Sequence, residues 1–306
     1  MKRLAAAAEE YLVLRRRLGF KLRHETWWLP DFVAYLEAHG NSVITTELAL
    51  RWAQQPANGD PAWWAKKLGA IRRFARHHQA FDPRTEVPSA DLLPYRRRRQ
   101  APYIYTDEEV AGLLRQARRL PDPLMAATYS TILGLLAVTG MRVGEALGLD
   151  ASDVDWRHSL VTVRDAKFGK SRHLPLHRST IAALHAYSEK RDRLRSSRRS
   201  SCFFISLAGT RVLHQNFHHV FLQCVRRAGL DRQLQRPRIH DLRHTFAVKT
   251  MRDWYRAGVD VERRLPWLST YLGHRDPTTT YWYLSATPEL LALAGRRFER
   301  SWKVRP

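Results

Sequence analysis

The stretch that decides the fold is Arg238-Ile239-His240-Asp241-Leu242-Arg243-His244-Thr245-Phe246. If it is helical, His240 and Arg243 lie on one face while Leu242 and Phe246 lie on another, because residues three or four apart are neighbours on a helix. The pattern therefore sets an imidazole, which can donate or accept a proton, beside a fixed cation. Alone, such a pair is more often structural than catalytic, so the rest of the chain must show whether a site exists.

A second pair of charged residues follows a glycine in T-G-M-R-V-G-E-A-L, residues 139–147. Gly140 predicts a helix end. Glu145 comes three residues after Arg142, so its carboxylate can hold the guanidinium of Arg142 while the rest of that group points outward. A surface ion pair is the ordinary interpretation of this motif on its own.

A third motif, Leu272-Gly273-His274, ends an apolar helical pattern at a glycine and is followed by two tyrosines, Tyr281 and Tyr283. Residues two apart point to different sides of a helix, so at most one of the two phenols can enter a given site. The spacing does not decide which one.

The composition supports two folded domains. The chain has 306 residues, 44% of them hydrophobic, with ten Trp and eleven Phe, which is enough for two cores. Helical spacing in the first part predicts a helical domain over residues 1–90, and the excess of basic residues in this part predicts that it binds DNA. The apolar residues that show the spacing are Tyr11, Leu14, Leu18, Trp28, Phe32, Leu36, Trp64, Leu68, Ile71 and Phe74. Prolines and the run Arg96, Arg97, Arg98, Arg99 predict a basic linker over residues 91–102, able to lie along a phosphate backbone or to stay a solvated charge run.

Residues 103–306 form the second predicted domain, with a tail at its end. Thr106 and Glu109 predict a capping box at the start of its first helix. Two short strand patterns, 160–163 and 173–176, flank Lys167 and predict a hairpin. The fold class expected is mainly α with a small β-hairpin or sheet (α+β).

The charge points to a polyanionic partner. There are 52 Lys and Arg against 29 Asp and Glu, a formal net charge of +23, and nucleic acid is the partner this predicts.

No apolar run reaches about 18 residues, so no membrane span is expected. Glu9 and Glu10 interrupt any signal core, and a cytoplasmic protein is predicted. Cys202 and Cys224 lack metal spacing and are predicted to be reduced, buried thiols. His214 and His218 have no third ligand beside them, so no metal site is expected. They are predicted to face solvent or DNA, because the buried side of the same helix is marked by Phe217, Val220, Phe221, Cys224 and Val225.

Together these motifs resemble the tyrosine recombinase (phage integrase) family. T-G-M-R-V-G-E-A-L is similar to its first arginine motif, A-K-F-G-K-S-R-H-L-P-L to its hairpin lysine, H-D-L-R-H-T-F-A to its His-x-x-Arg motif, and L-G-H with a following Tyr to its last box. The N-terminal unit resembles the family's core-binding domain more loosely, and residues 103–306 would be the catalytic domain.

The resemblance implies a role for each motif residue. Arg142 and Arg243 would grip the scissile phosphate, Lys167 would protonate the leaving 5′ oxygen, and His240 would assist as acid or base. His274 would donate to a phosphate oxygen and Glu145 would support Arg142. The family's attacking tyrosine usually follows the last-box histidine by nine residues, which selects Tyr283.

The chemistry implied is site-specific cleavage and rejoining of DNA through a 3′-phosphotyrosine, in a mobile element or phage. A phosphodiester in its five-coordinate state gathers charge on nonbridging oxygens, and each preorganised donor can supply about 3 kcal/mol. Cations replace a metal, and the phosphotyrosine bond conserves energy, so no cofactor is expected. The partners implied are double-stranded DNA on the bacterial nucleoid and further subunits, as a homotetramer on DNA or with sister recombinases.

Two alternatives remain at this point. A type IB topoisomerase shares the cleavage chemistry but relaxes DNA without pairing two sites. A recombinase-like protein that occupies DNA without cutting it would show an incomplete set of active residues, whereas here every motif position is filled.

Overall fold

The computed structural model describes residues 2–93, 101–164, 171–194, 200–232, 235–274, 276, 278–286 and 288–303. The chain divides into two compact units, residues 1–100 and 101–306. Both are mainly helical, and the second carries a small antiparallel sheet. The predicted fold class is therefore confirmed. The run Arg96–Arg99 and Lys167 lie outside the described residues.

Unit 1 contains α1 (Lys2–Arg17), α2 (Glu25–Ala38), α3 (Thr46–Ala53) and α4 (Pro61–His78). Its core holds the predicted Phe32, Leu36 and Phe74, each 0% exposed. Of the first predicted stripe, Tyr11 is buried, whereas Leu14 is exposed and Leu18 is exposed just beyond the end of α1. The other buried residues of α1 are Leu4, Ala8 and Leu12.

The helices of unit 2 are α5 (Asp107–Arg118), α6 (Pro123–Thr139), α7 (Val143–Leu147), α8 (Arg178–Leu194), α9 (His214–Arg227), α10 (Ile239–Arg256), α11 (Val261–Leu272), α12 (Thr278–Ala286) and α13 (Pro288–Lys303). The predicted capping box at α5 is confirmed, because Thr106 Oγ1 accepts from the Glu109 amide and Glu109 Oε2 from the Thr106 amide. α6 is apolar nearly all round and packs against α5, α8 and α10. A helix of that kind belongs in a domain interior.

The sheet has three strands, β1 (Val154–Asp155), β2 (Leu160–Val163) and β3 (Arg172–Pro175), in the order β1-β2-β3. The predicted hairpin is confirmed by the antiparallel pairing of β2 and β3, in which Val161 faces Leu174. The two-residue β1 was not predicted, since so short a strand leaves no alternation to detect. The hairpin places β3 next to the site described below.

Side chains outside the motifs also lie where the sequence predicts them. Cys202 and Cys224 are both buried. His214 and His218 are exposed on α9, while Phe217, Val220, Phe221, Cys224 and Val225 form its buried side. In the described part of the chain, no helix has the length and apolar character needed to cross a membrane.

The last helix packs on its own domain. α13 lies against α10 and α12, with Leu290 1% exposed. Arg256 on α10 forms an ion pair with Glu289 at 2.9 Å. Leu291, one residue on, is 53% exposed, so the tail has both a docked face and an open one.

Candidate active site

The site forms where four helix ends converge: the end of α6, the start of α7, the start of α10 and the end of α11. Gly140 ends α6 in the left-handed region at φ +60, which glycine adopts without strain. A Cβ at Gly140 would also lie 2.6 Å from the ring of Phe246. This close approach lets α10 pack against the turn that carries Arg142.

Arg142 precedes α7 and is fixed by Glu145, as predicted from their spacing. Glu145 Oε2 accepts from the Arg142 backbone amide at 3.0 Å, and Oε1 accepts from Arg142 Nη1 at 2.7 Å. Arg142 Nη2 donates to the carbonyl of Gly273 at 2.9 Å. The Arg142 side chain keeps 28% of its surface exposed, so part of its guanidinium faces outward while two of its nitrogens are held.

Arg243 lies at the bottom of the site and is 2% exposed. Its Nη1 donates to the carbonyl of Gly140 at 2.8 Å and its Nη2 to that of Leu272 at 2.7 Å. These carbonyls belong to the ends of α6 and α11, where helices leave acceptors without intrahelical partners. Burial, followed by the positive charge of Arg142, lowers the pKa of Arg243 to about 10, so the group stays a cation at neutral pH.

Arg172 on β3 is a site residue that the sequence analysis did not single out. It donates to both oxygens of Glu145, at 3.2 Å from Nη1 and 2.8 Å from Nη2, and Nε donates to the carbonyl of Tyr271 at 2.9 Å. Arg172 lies inside the quoted hairpin motif, but a strand arginine carries no signal of a partner 27 or 99 residues away. Arg142, Arg172, Arg243 and Glu145 are called the arginine cluster below.

Three histidines and Tyr283 adjoin the arginine cluster. Tyr283 is 1% exposed, and its ring centre lies 5.4 Å from His244 and 6.0 Å from His274. His244 in turn packs edge-on against His240 at 4.7 Å. An ionised Tyr283 stabilises the charged form of Arg243, which places the phenol within electrostatic reach of that cation. His244 was quoted in the motif but given no role.

The imidazoles are held in the neutral form. Burial, then the charge of Arg243, lowers the pKa of His274 to about 3; its Nδ1 lies 2.7 Å from Thr280 Oγ1. Burial, then His240, lowers the pKa of His244 to about 3. Burial of its inner side and the charge of Arg243 lower the pKa of His240 to about 4. His240 is nonetheless exposed at the rim, and since water reaches the ring, we attribute much of that downward shift to the guanidinium charge.

The tyrosine pair divides between surface and interior. Tyr281 is 49% exposed and Tyr283 is 1% exposed, both on α12. The structure thus brings together Arg142, Glu145, His240, Arg243, His274 and Tyr283, and leaves Tyr281 outside the group. Among the described residues, no three His, Cys, Asp or Glu side chains are grouped as metal ligands would be.

Chemically, this arrangement suits a phosphodiester. Fixed guanidinium groups and imidazole N–H groups can surround nonbridging phosphate oxygens, and arginine matches phosphate geometry better than lysine does. A phenol at the same place supplies an oxygen nucleophile. Neutral imidazoles can also accept a proton.

Comparisons with known proteins agree with this geometry. The model of the phage integrase family matches residues 104–289. A protein of Sinorhizobium fredii named "Putative integrase/recombinase y4rB" is 44% identical over 100% of both chains. The tyrosine recombinase XerD of Mycobacterium tuberculosis is 32% identical over 63% of this chain and 60% of that protein.

Among solved structures, the Tn1549 transposon integrase in complex with transposon right end DNA aligns with a TM-score of 0.66. The alignment covers 96% of this chain and 98% of that one at 16% identity. At that identity the likeness shows the fold alone.

Proposed function

The chain belongs to the phage integrase family, the tyrosine recombinases that cut and rejoin DNA at specific sites, and we propose that it does so through a 3′-phosphotyrosine formed by Tyr283. The observation that carries the proposal is the position of this phenol, buried between the rings of His244 and His274 and within electrostatic reach of Arg243.

In the proposed step, the Tyr283 oxygen attacks phosphorus and the bond from phosphorus to the 5′ oxygen breaks. The phenol proton passes to His240, which acts as the base in this step. Lys167 gives its proton to the leaving 5′ oxygen. Arg142, Arg243 and His274 stabilise the charge on the nonbridging oxygens of the five-coordinate phosphorus. The 5′-hydroxyl of a second strand then reverses the reaction and completes the exchange.

We further propose the setting of the reaction. Double-stranded DNA of a mobile element or phage is the substrate, on the bacterial nucleoid, and the integrase name of the 44% identical relative supports this choice. Each protomer supplies one nucleophile while exchange cuts four strands, which favours a tetramer on DNA. Arg96–Arg99 would follow the phosphate backbone, in keeping with a net charge of +23.

The test is covalent capture. A library of short duplexes, each carrying a nick that traps the intermediate, is mixed with the protein, and the attached DNA is sequenced. Tyr283→Phe removes one hydroxyl and should bind the recovered duplex normally yet form no adduct. Tyr281→Phe is the matched control and should still cleave. Adduct formation by Tyr283→Phe, or its loss in Tyr281→Phe alone, would overturn the assignment, and no adduct with any duplex would remove the proposed chemistry.

A further inference from the structure

Arg172 occupies the arginine cluster without facing outward. Its side chain is 12% exposed, against 28% for Arg142. Nε, Nη1 and Nη2 all donate to protein acceptors, namely the carbonyl of Tyr271 and the two oxygens of Glu145. All three nitrogens of this guanidinium are held by protein acceptors, which fixes its plane, so it is well placed to orient the groups that it holds.

Glu145 depends on Arg172 for its position. The carboxylate is 8% exposed, and each of its oxygens accepts from both arginines: Oε1 from the Nη1 atoms of Arg142 and Arg172, and Oε2 from the Arg142 amide and Arg172 Nη2. Arg172 makes the two-pronged contact, which fixes the plane of the carboxylate. Arg142 has a single side-chain contact to Glu145, and the direction of its guanidinium follows from that plane.

The second support of Arg142 also rests against Arg172. The Gly273 carbonyl accepts from Arg142 Nη2, and Gly273 packs on the Arg172 guanidinium so closely that a Cβ there would lie 2.8 Å from Nη1. Arg172 Nε meanwhile holds the carbonyl of Tyr271, in the last turn of α11. Both groups that orient the Arg142 guanidinium are therefore in contact with one side chain on β3.

We propose that Arg172 is a positioning residue that aims the guanidinium of Arg142 at the scissile phosphate through Glu145 and the end of α11. In this role Arg172 acts through the groups that it holds and does not itself take part in the reaction. This inference deepens the proposed function and rests on it. Because a misplacement of about 1 Å in a catalytic group can cost on the order of 100-fold in rate, loss of Arg172 should slow cleavage far more than it weakens DNA binding.

The experiment measures single-turnover cleavage of a duplex recovered by the covalent capture above. The duplex is made in two forms. One has the natural phosphodiester at the cleavage site, and the other has a methylphosphonate, in which a methyl group replaces one nonbridging oxygen and removes the charge. A positively charged guanidinium stabilises the reacting group less when the linkage is neutral. The cleavage rate of Arg172→Gln should be lower than that of the wild type by on the order of 100-fold on the phosphodiester and by much less on the methylphosphonate. Arg142→Ala should show the same pattern.

Two further variants test whether the effect of Arg172 comes from its hydrogen bonds, rather than from its charge or from a general loss of stability. Arg172→Lys keeps the cation but cannot bridge Glu145 and Tyr271 with a planar fork, so it should stay slow. Arg211→Gln is the matched control. Arg211 also donates to backbone carbonyls, those of Leu147 and Leu149, and to a carboxylate, that of Asp150. This variant should cleave both substrates at the wild-type rate.

A third comparison uses the shared carboxylate. Because Arg172 acts through Glu145, the losses in Glu145→Gln and Arg172→Gln should not multiply in the double variant. Wild-type cleavage by Arg172→Gln, recovery by Arg172→Lys, multiplying losses, or an equal slowing on both substrates would overturn the inference and leave the proposed function standing. Absence of any adduct with wild-type protein would overturn both.

Discussion

Acidification is expected to destabilise the second unit through His244 and His274. Both rings lie against Tyr283, and burial together with neighbouring positive or imidazole groups lowers the pKa of each to about 3. In the unfolded chain a histidine has a pKa of about 6.5. The unfolded state therefore binds more protons between these two values.

The sign follows from proton linkage. A histidine whose folded pKa lies below its unfolded value contributes stability above about pH 6.5 and loses it as the pH falls towards the folded pKa. At pH 5 the unfolded chain holds nearly one more proton per ring, and 1.5 pH units correspond to about 2 kcal/mol for each histidine. Since both rings keep part of their surface open to water, this value is an upper limit.

The assay is hydrogen exchange at the buried amides of α10, compared at pH 7.5 and pH 5. It reports the opening free energy of this unit separately from that of residues 1–100. Most carboxylates titrate below pH 5, so the histidines dominate the interval. His274→Asn keeps a polar group near Thr280. It should reduce the decrease in opening free energy between pH 7.5 and pH 5 by up to about 2 kcal/mol. The control replacement is His214→Asn, on the exposed face of α9.

Two results would refute the reasoning. One is an opening free energy of wild-type α10 that does not fall between pH 7.5 and pH 5. The other is a pH dependence in His274→Asn equal to that of His214→Asn. Either would mean that the imidazoles are not held neutral by the folded structure.

Arg243→Lys should lower the free energy of unfolding by about 1–3 kcal/mol, because lysine cannot satisfy both buried carbonyls that Arg243 bonds. The same variant should cleave DNA on the order of 100-fold more slowly, and cleavage at the wild-type rate would contradict this. DNA affinity should fall by roughly 10³ or more between 50 and 200 mM salt if six or more phosphates are contacted, which a titration checks. Lys167→Ala should be defective on normal DNA but not on a substrate with a 5′-bridging sulfur, whose leaving group needs no acid; equal defects on both would exclude Lys167 as the acid.

Much of the local structure could be predicted from the sequence, because its causes lie within a few residues. The capping box of Thr106 and Glu109, the contact of Glu145 with Arg142 and the buried side of α9 all depend on spacings of three or four. The pairing of β2 with β3 follows from two short β patterns on either side of Lys167. The motifs also named six residues that the structure brings together, Arg142, Glu145, His240, Arg243, His274 and Tyr283, but they assigned no role to Arg172 or His244.

Only the tertiary structure decided how these motifs meet. Arg142 bonds a carbonyl 131 residues away, and Arg172 bonds one 99 residues away; no local pattern encodes contacts at such separations. The spacing of Tyr281 and Tyr283 showed that the two phenols diverge, but the packing of α12 against α10 and α11 decided that Tyr283 is buried. The exposed Leu14 and Leu18 make the same point, since apolar periodicity predicts a helix but the neighbouring elements select which face is covered.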